Sequence, residues 1–198
     1  MVAGRKTVFF GAGLVAAALV IMTITGQIAR GQDPMAAEIN GVTVPFMVKV
    51  TNPDPLPQEP FLNADGEEIT LADFEGQVVV LNFWATWCAP CVKEMPDLDA
   101  LAEATADDPI TVIALNEDRK PLEVAPAWLR EQGLDHLEVF ADQRQGLARA
   151  FQIRGMPTTV LIGPEGEKLA YREGIAEWAD PDFIAALRKL AERAPADG

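Results

Sequence analysis

The chain has 198 residues, 49% of them hydrophobic, and a formal net charge of −14. That supplies one ordinary domain with a sizeable core. Three of the 16 basic residues precede Gly31 and all 30 acidic residues follow it, so residues 31–198 carry −17. Attraction of the domain to nucleic acid or to an anionic membrane surface is thereby excluded. The acidity serves solubility, with steering toward a partner's basic patch as a secondary role.

From Thr7 to Ala29 no residue is charged, and Val8 to Ile28 is almost wholly apolar or small. Those 21 residues match the roughly 20 that cross a hydrocarbon core as a helix. Arg5 and Lys6 before the run outnumber Arg30 after it, which leaves the N-terminus cytoplasmic and the domain outside. A cleaved signal peptide is the competing account, but its apolar region runs about 7–15 residues and ends in a small-x-small site. Ala29-Arg30-Gly31 matches such a site poorly. Residues 1–30 are therefore read as a membrane anchor, in a single-pass protein of a bacterial inner membrane whose domain faces the periplasm.

Residues 31–57 read as a linker, because Pro34, Pro45, Pro53, Pro55 and Pro57, followed by Pro60, favour extended, semi-rigid chain. Val42 to Val50 offers an alternative, a short edge strand in which Val44, Phe46, Val48 and Val50 alternate with other residues. The folded domain is placed at 58–194, with 195–198 as a tail. Phe61-Leu62 and Glu67 to Leu71 flank the turn Asn63-Ala64-Asp65-Gly66 and form a hairpin. Asp73 to Gly76 punctuates the chain before Val78 to Phe83, an apolar run that reads as a buried strand.

That strand feeds Trp84-Ala85-Thr86-Trp87-Cys88-Ala89-Pro90-Cys91, which holds the two cysteines of the chain. A helix follows, from about Ala89 to Ala106, with Pro90 early in it and a kink expected at Pro96. A Cys-x-x-Cys at a strand-to-helix junction puts the first thiol at a helix N-terminus, where backbone N–H groups and the macrodipole favour a thiolate. Cys88 is read as the exposed, low-pKa nucleophile and Cys91, one turn deeper, as the buried resolving thiol. A haem attachment site needs His after the second Cys, and position 92 is Val. A structural zinc site needs four ligands, and beyond the two cysteines stands only His136. A purely structural disulfide over so short a loop stabilises little.

Beyond the helix, Ile110 to Leu115 is an apolar strand, parallel to the first through a right-handed crossover. Pro121 opens a second helix that Gly133 ends. Leu137 to Phe140 is a brief strand and Gln145 to Phe151 a short helix. Thr159 to Ile162 and Lys168 to Arg172 flank the hairpin turn Gly163-Pro164-Glu165-Gly166. The last helix spans Pro181 to Ala194. Strands interleaved with helices predict an α/β fold, a three-layer α/β/α sandwich around a mixed sheet.

The run Phe83 to Cys91 resembles the active-site motif of the thioredoxin superfamily. Glu94 and Pro96, three and five residues after Cys91, resemble its membrane-anchored TlpA/ResA branch. Gly155-Met156-Pro157-Thr158-Thr159 is similar to that family's cis-proline loop. Gly163-Pro164-Glu165-Gly166 and Gly174-Ile175-Ala176-Glu177-Trp178 are most similar to the TlpA side. The resemblance covers about residues 58 to 193. It implies a thioredoxin-like fold, a redox-active Cys88–Cys91 disulfide, and a cis Met156–Pro157 bond facing it. Met156 would then offer backbone hydrogen bonds to an extended substrate segment. Trp84 and Trp87 are read as packing residues, Trp87 partly exposed as a lid beside Cys88 and in place to meet substrate.

Glu94 shares a helical face with the cysteines. An exposed position is the ordinary fate of glutamate, but the resemblance implies a partly buried carboxyl of raised pKa that exchanges a proton with Cys91. Asn82 is a departure, since common thioredoxins carry a buried Asp there, and this strengthens the case for Glu94. The additional cysteine pair of some TlpA proteins is missing.

The expected chemistry is thiol–disulfide exchange without organic cofactor or metal, by a monomer. Direction is open from the residues alone, since an exported Cys pair serves either as oxidant or, fed by a membrane thiol reductant, as reductant. The resemblance implies a reductant of exported proteins in cytochrome oxidase copper-centre or apocytochrome c maturation. Two alternatives are a Cu(I)-handling chaperone using the Cys pair and a thiol peroxidase.

Overall fold

The computed structural model describes residues 35–193, so the expected anchor at 1–30 and the tail at 195–198 lie outside the described residues. No helix among the described residues is long and apolar enough to cross a membrane. The sheet is built around β6 (Val78–Trp84), whose seven residues are all buried. In this strand Val78, Val80 and Trp84 face one hydrophobic cluster, and Val79, Leu81 and Phe83 face another. This is the two-residue alternation of a strand covered on both faces.

On one side β6 pairs in parallel with β7 (Ile110–Asn116), reached through helix α1 (Ala89–Ala104). On the other it pairs antiparallel with β9 (Thr158–Ile162), which forms the expected hairpin with β10 (Lys168–Glu173). Beyond β7 come β8 (Phe140–Ala141), then β4 (Phe61–Leu62) and β5 (Glu68–Ile69), closing an eight-stranded mixed sheet. The parallel pair and both hairpins match the sequence expectation. Between β5 and β6 the punctuating segment is a 3-10 turn, Leu71–Phe74.

Helices α1, α2 (Pro121–Gln132) and α4 (Pro181–Ala191) pack their apolar residues into the first cluster. The short α3 (Gly146–Ala150) contributes Leu147 to the second, beside Leu71 and Phe61. The result is the three-layer arrangement. Gly133 ends α2 as anticipated, in the left-handed region at φ 69°, with its N–H bonded to Arg130 and Leu129 carbonyls. Pro96 sits within α1 without ending it.

The N-terminal segment departs from the linker expected over 31–57. Residues 37–49 are folded: β1 (Ala37–Ile39) and β2 (Val42–Val44) form a hairpin, and β3 (Val48–Lys49) extends the sheet edge beside β10. The hairpin turns on Asn40 and Gly41, both at positive φ (49° and 76°), a pair suited to a tight two-residue turn. Ala37, Ile39, Val42, Val44 and Met47 are buried in the first cluster, with β2 against α4. Apolar burial at every second position outweighs the local stiffness of Pro45. The edge-strand alternative thus holds for Val48 and Lys49.

Candidate active site

The buried strand β6 ends in a loop, residues 85–88, that launches α1. Cys88 is the N-cap of that helix: its backbone is extended, and its Sγ accepts a hydrogen bond from the Cys91 N–H at 3.3 Å. Pro90 occupies the first turn, where an N–H has no helical partner. Cys88 and Cys91 form a disulfide, with Cα atoms 5.2 Å apart.

Cys91 is fully buried, as expected. Cys88 is not the exposed residue predicted; it is 6% accessible. What remains of its surface opens on a groove of about 530 Å³ that Cys91 does not line. Its neighbours Trp87, Ala89 and Pro90 are exposed and line the same groove, so Cys88 is reached through it. Trp87, 65% exposed, and Met156 line the same groove. Trp84, by contrast, is a packing residue: its Nε1–H donates to the Ala114 carbonyl at 3.0 Å and its ring meets Trp128 at 5.0 Å.

The Met156–Pro157 peptide bond is cis. Pro157 is buried, and its carbonyl accepts from the Gly174 N–H at 2.8 Å, while the Thr158 hydroxyl donates to the Gly155 carbonyl at 2.8 Å. Among the described residues no backbone hydrogen bond engages Met156.

Glu94 lies in the interior, 1% exposed, and so is more deeply placed than the partly buried carboxyl expected. Asn82 Nδ2 donates to one carboxyl oxygen at 2.8 Å and Trp178 Nε1 to the other at 2.9 Å. Burial raises its pKa. Hydrogen bonds from Trp178, Asn82 and the Ala176 backbone pull against that rise, and Asp97 adds to it. Asn82 also donates to the Thr159 hydroxyl at 2.9 Å, because the β6–β9 register places the two residues opposite each other. Its own Oδ1 is buried without a partner among the described residues.

Two acidic residues at the end of β7 belong to the site although nothing in their spacing marked them. Asp118 accepts from the Thr86 N–H at 2.9 Å, the Thr86 hydroxyl at 3.0 Å and the Asn116 amide at 2.9 Å, and so pins the loop that carries Cys88. Glu117 lines the groove beside Cys88 yet is 4% exposed, with neither carboxyl oxygen hydrogen-bonded among the described residues. Burial, and next the charge of Asp142, push its pKa up to about 8, with Arg149 pulling it down. The visible trace of both is a run, Asn116-Glu117-Asp118, directly after an apolar strand. Among the described residues no cluster of three or more His, Cys, Asp or Glu is placed to hold a metal.

A disulfide at a helix N-terminus, one sulfur facing a groove and the other sealed beneath, is built to exchange with an incoming thiol or disulfide. Comparison with known proteins agrees. The AhpC/TSA family model matches residues 50–171. The thiol-disulfide oxidoreductase ResA of Halalkalibacterium halodurans is 34% identical over 128 residues, 64% of this chain and 72% of that protein. ResA of Bacillus subtilis is 33% identical over 105 residues, 53% of this chain and 58% of its own. Among solved structures, a protein assigned as thiol:disulfide interchange protein DsbE from Chlorobium tepidum superposes with a TM-score of 0.60 at 28% identity. That match covers 70% of this chain and 99% of the other. An assigned thioredoxin from Neisseria meningitidis gives a TM-score of 0.61 at 26% identity, over 73% and 96%.

Proposed function

The chain belongs to the AhpC/TSA family and is a ResA-like thiol–disulfide oxidoreductase of thioredoxin-like fold, and from that premise we propose that it reduces protein disulfides on the outer face of a bacterial inner membrane. The observation that carries the reading is the asymmetry of the Cys pair, with Cys88 alone facing the groove and Cys91 closed in behind it.

In the dithiol form, Cys88 at the N-terminus of α1 is stabilised as thiolate by the helix N–H groups. It attacks a substrate disulfide, forms a mixed disulfide, and expels the other substrate sulfur as thiolate, which takes a proton from solvent. Cys91 then gives its proton to Glu94 and attacks Cys88 Sγ. This releases the second substrate thiol and leaves Cys88–Cys91 oxidised. Two electrons have passed to the substrate, and a membrane thiol reductant restores the pair. The unengaged Met156 backbone, on the groove wall, is suited to pair with an extended substrate segment while the sulfurs react.

The apolar, uncharged run Val8 to Ile28 supports a single membrane span with the domain in the periplasm. The ResA-like character supports substrates whose cysteines must be reduced before they receive copper or haem, in cytochrome oxidase or cytochrome c maturation. The protein acts as a monomer.

The deciding measurement is the reduction potential of the Cys pair. A reductant lies nearer the roughly −270 mV of thioredoxin than the roughly −120 mV of a dedicated oxidant. A value at the oxidising end would reverse the direction. Fractionation of cells expressing the full chain tests the anchor, since a wholly soluble mature form would refute it.

A further inference from the structure

The stretch from Gln143 to Pro164 contains three arginines, Arg144, Arg149 and Arg154, and no acidic residue, in a chain with 30 acids. It supplies α3, the cis-proline loop and β9, and so one wall of the active-site groove. Arg149 and Arg154 line the groove with Cys88. Both are exposed, and neither enters an ion pair among the described residues.

The sole acid lining that groove among the described residues is Glu117. Its carboxyl oxygens are sealed from solvent and, among the described residues, have no hydrogen-bond partner, so it meets a ligand through its charge and not by contact. With its pKa held up to about 8, it is largely neutral at pH 7. Among the described residues, the lining of the groove then carries two positive charges and no negative one, opposite in sign to the molecule at large.

We propose that the groove receives an acidic peptide segment adjoining the target disulfide, whose carboxylates pair with Arg149 and Arg154 while its sulfur meets Cys88. This rests on the groove being the docking site for disulfide substrates, as proposed above. Guanidinium groups without an ion-pair partner among the described residues are suited to bidentate, charge-assisted contacts with carboxylates. Asp142 and Asp118 lie near the groove without lining it, their carboxylates taken up by hydrogen bonds from Gly146, Ala148, Thr86 and Asn116. At an ionic strength near 0.1 M charges beyond about 10 Å are largely screened. Contact pairs in the groove therefore outlast the long-range repulsion, and a short acidic run is selected over a uniformly acidic surface.

Glu117 sets the pH range. The charged groups facing it are Asp142, which disfavours its ionisation, and Arg149, which favours it; Arg154 and Cys88 share the groove. As pH rises through about 8 the carboxyl ionises, cancels one of the two positive charges and weakens the hold on an acidic segment.

The test uses the reduced full chain and three disulfide peptides identical except for Asp, Asn or Lys flanking the cysteine, with uncharged 2-hydroxyethyl disulfide as a fourth substrate. Second-order exchange rate constants are measured at 0.1 M salt. At pH 7 the Asp peptide reacts about tenfold faster than the Asn peptide and the Lys peptide slowest. In the double variant Arg149→Gln/Arg154→Gln the Asp-to-Asn ratio falls to about one. Between pH 7 and 9 the ratio declines in the natural protein and holds in Glu117→Gln. An Asn peptide as fast as the Asp peptide, or a ratio unchanged in the double variant, overturns the proposal if the uncharged disulfide still reacts. A ratio equally flat in both proteins overturns the part given to Glu117. Failure to react with any disulfide, the uncharged one included, overturns the reductase reading and this inference with it.

Discussion

The indole Nε1–H of Trp178 donates to the carboxyl of Glu94 at 2.9 Å, across 84 residues of sequence. The contact ties the segment before α4 to the helix that carries the cysteines. Trp178 is fully buried, its ring 5.4 Å from that of Phe183, so the hydrogen bond is held in a fixed frame. Together with the Asn82 amide and the Ala176 backbone it restrains a pKa that burial drives upward.

Trp178→Phe should therefore raise the pKa of Glu94 further. If Glu94 takes the proton of Cys91, the pH limb of mixed-disulfide resolution moves to higher pH, and in Glu94→Gln that limb disappears. Leaving a buried carboxyl oxygen without its donor also costs about 1–3 kcal/mol in urea unfolding. A limb that stays in place in Trp178→Phe would separate Glu94 from the proton transfer.

The asymmetric exposure of the sulfurs makes opposite demands on the two cysteines. Cys88→Ser should abolish exchange with protein disulfides. Cys91→Ser should retain the first attack and accumulate mixed disulfides, visible on a non-reducing gel. Equal residual activity in the two variants would contradict the assignment of roles.

Asp118 holds the loop before Cys88 through two hydrogen bonds from Thr86 and accepts a third from the Asn116 amide. Asp118→Ala leaves the Thr86 N–H and the Asn116 amide unpaired, and should lower stability by about 2–3 kcal/mol. Exchange should slow as well, because the N-cap sulfur loses its fixed approach. A variant of unchanged unfolding midpoint would show that water replaces the carboxylate without loss.

Glu117 offers a test of stability against pH. Its pKa rises from 4.5 in the unfolded chain to about 8 in the fold, so the folded state holds the proton more tightly. The stability this contributes is complete below pH 4.5 and is lost as pH rises toward 8. Relative to the natural protein, Glu117→Gln should gain about 2–4 kcal/mol between pH 4 and pH 8. Thermal melts of the two proteins running in parallel over that range would show that Glu117 titrates normally.

Much of this architecture is written in local pattern. The β-branched run before Cys88, the proline in the first helical turn, Gly133 and the Gly163–Gly166 turn each act within a few residues of themselves. The Asn40-Gly41 turn is equally local, flanked by Ala37-Glu38-Ile39 and Val42-Thr43-Val44, but proline density across Pro34 to Pro60 speaks more loudly for a linker. The partners of Glu94 are another matter. Asn82 stands on β6 and Trp178 arrives after the last hairpin, so no spacing along the chain encodes either contact. The enclosure of Cys88 depends on loop packing and groove walls, whereas the motif specifies only its place at the helix start. Glu117 and Asp118 stand out only once β7 is seen to end against the Cys88 loop.

Because the loop bearing the sulfurs grows directly from β6, chemistry is mounted on the strand with the least contact with solvent. Opening that strand means breaching both hydrophobic clusters at once, so its amide hydrogens should exchange with deuterium only through global unfolding. The reacting atoms thus stand on an anvil. Whatever yielding a bulky partner requires must come from the opposite side, where Arg154 and Gly155 are exposed and, among the described residues, no backbone hydrogen bond engages Met156.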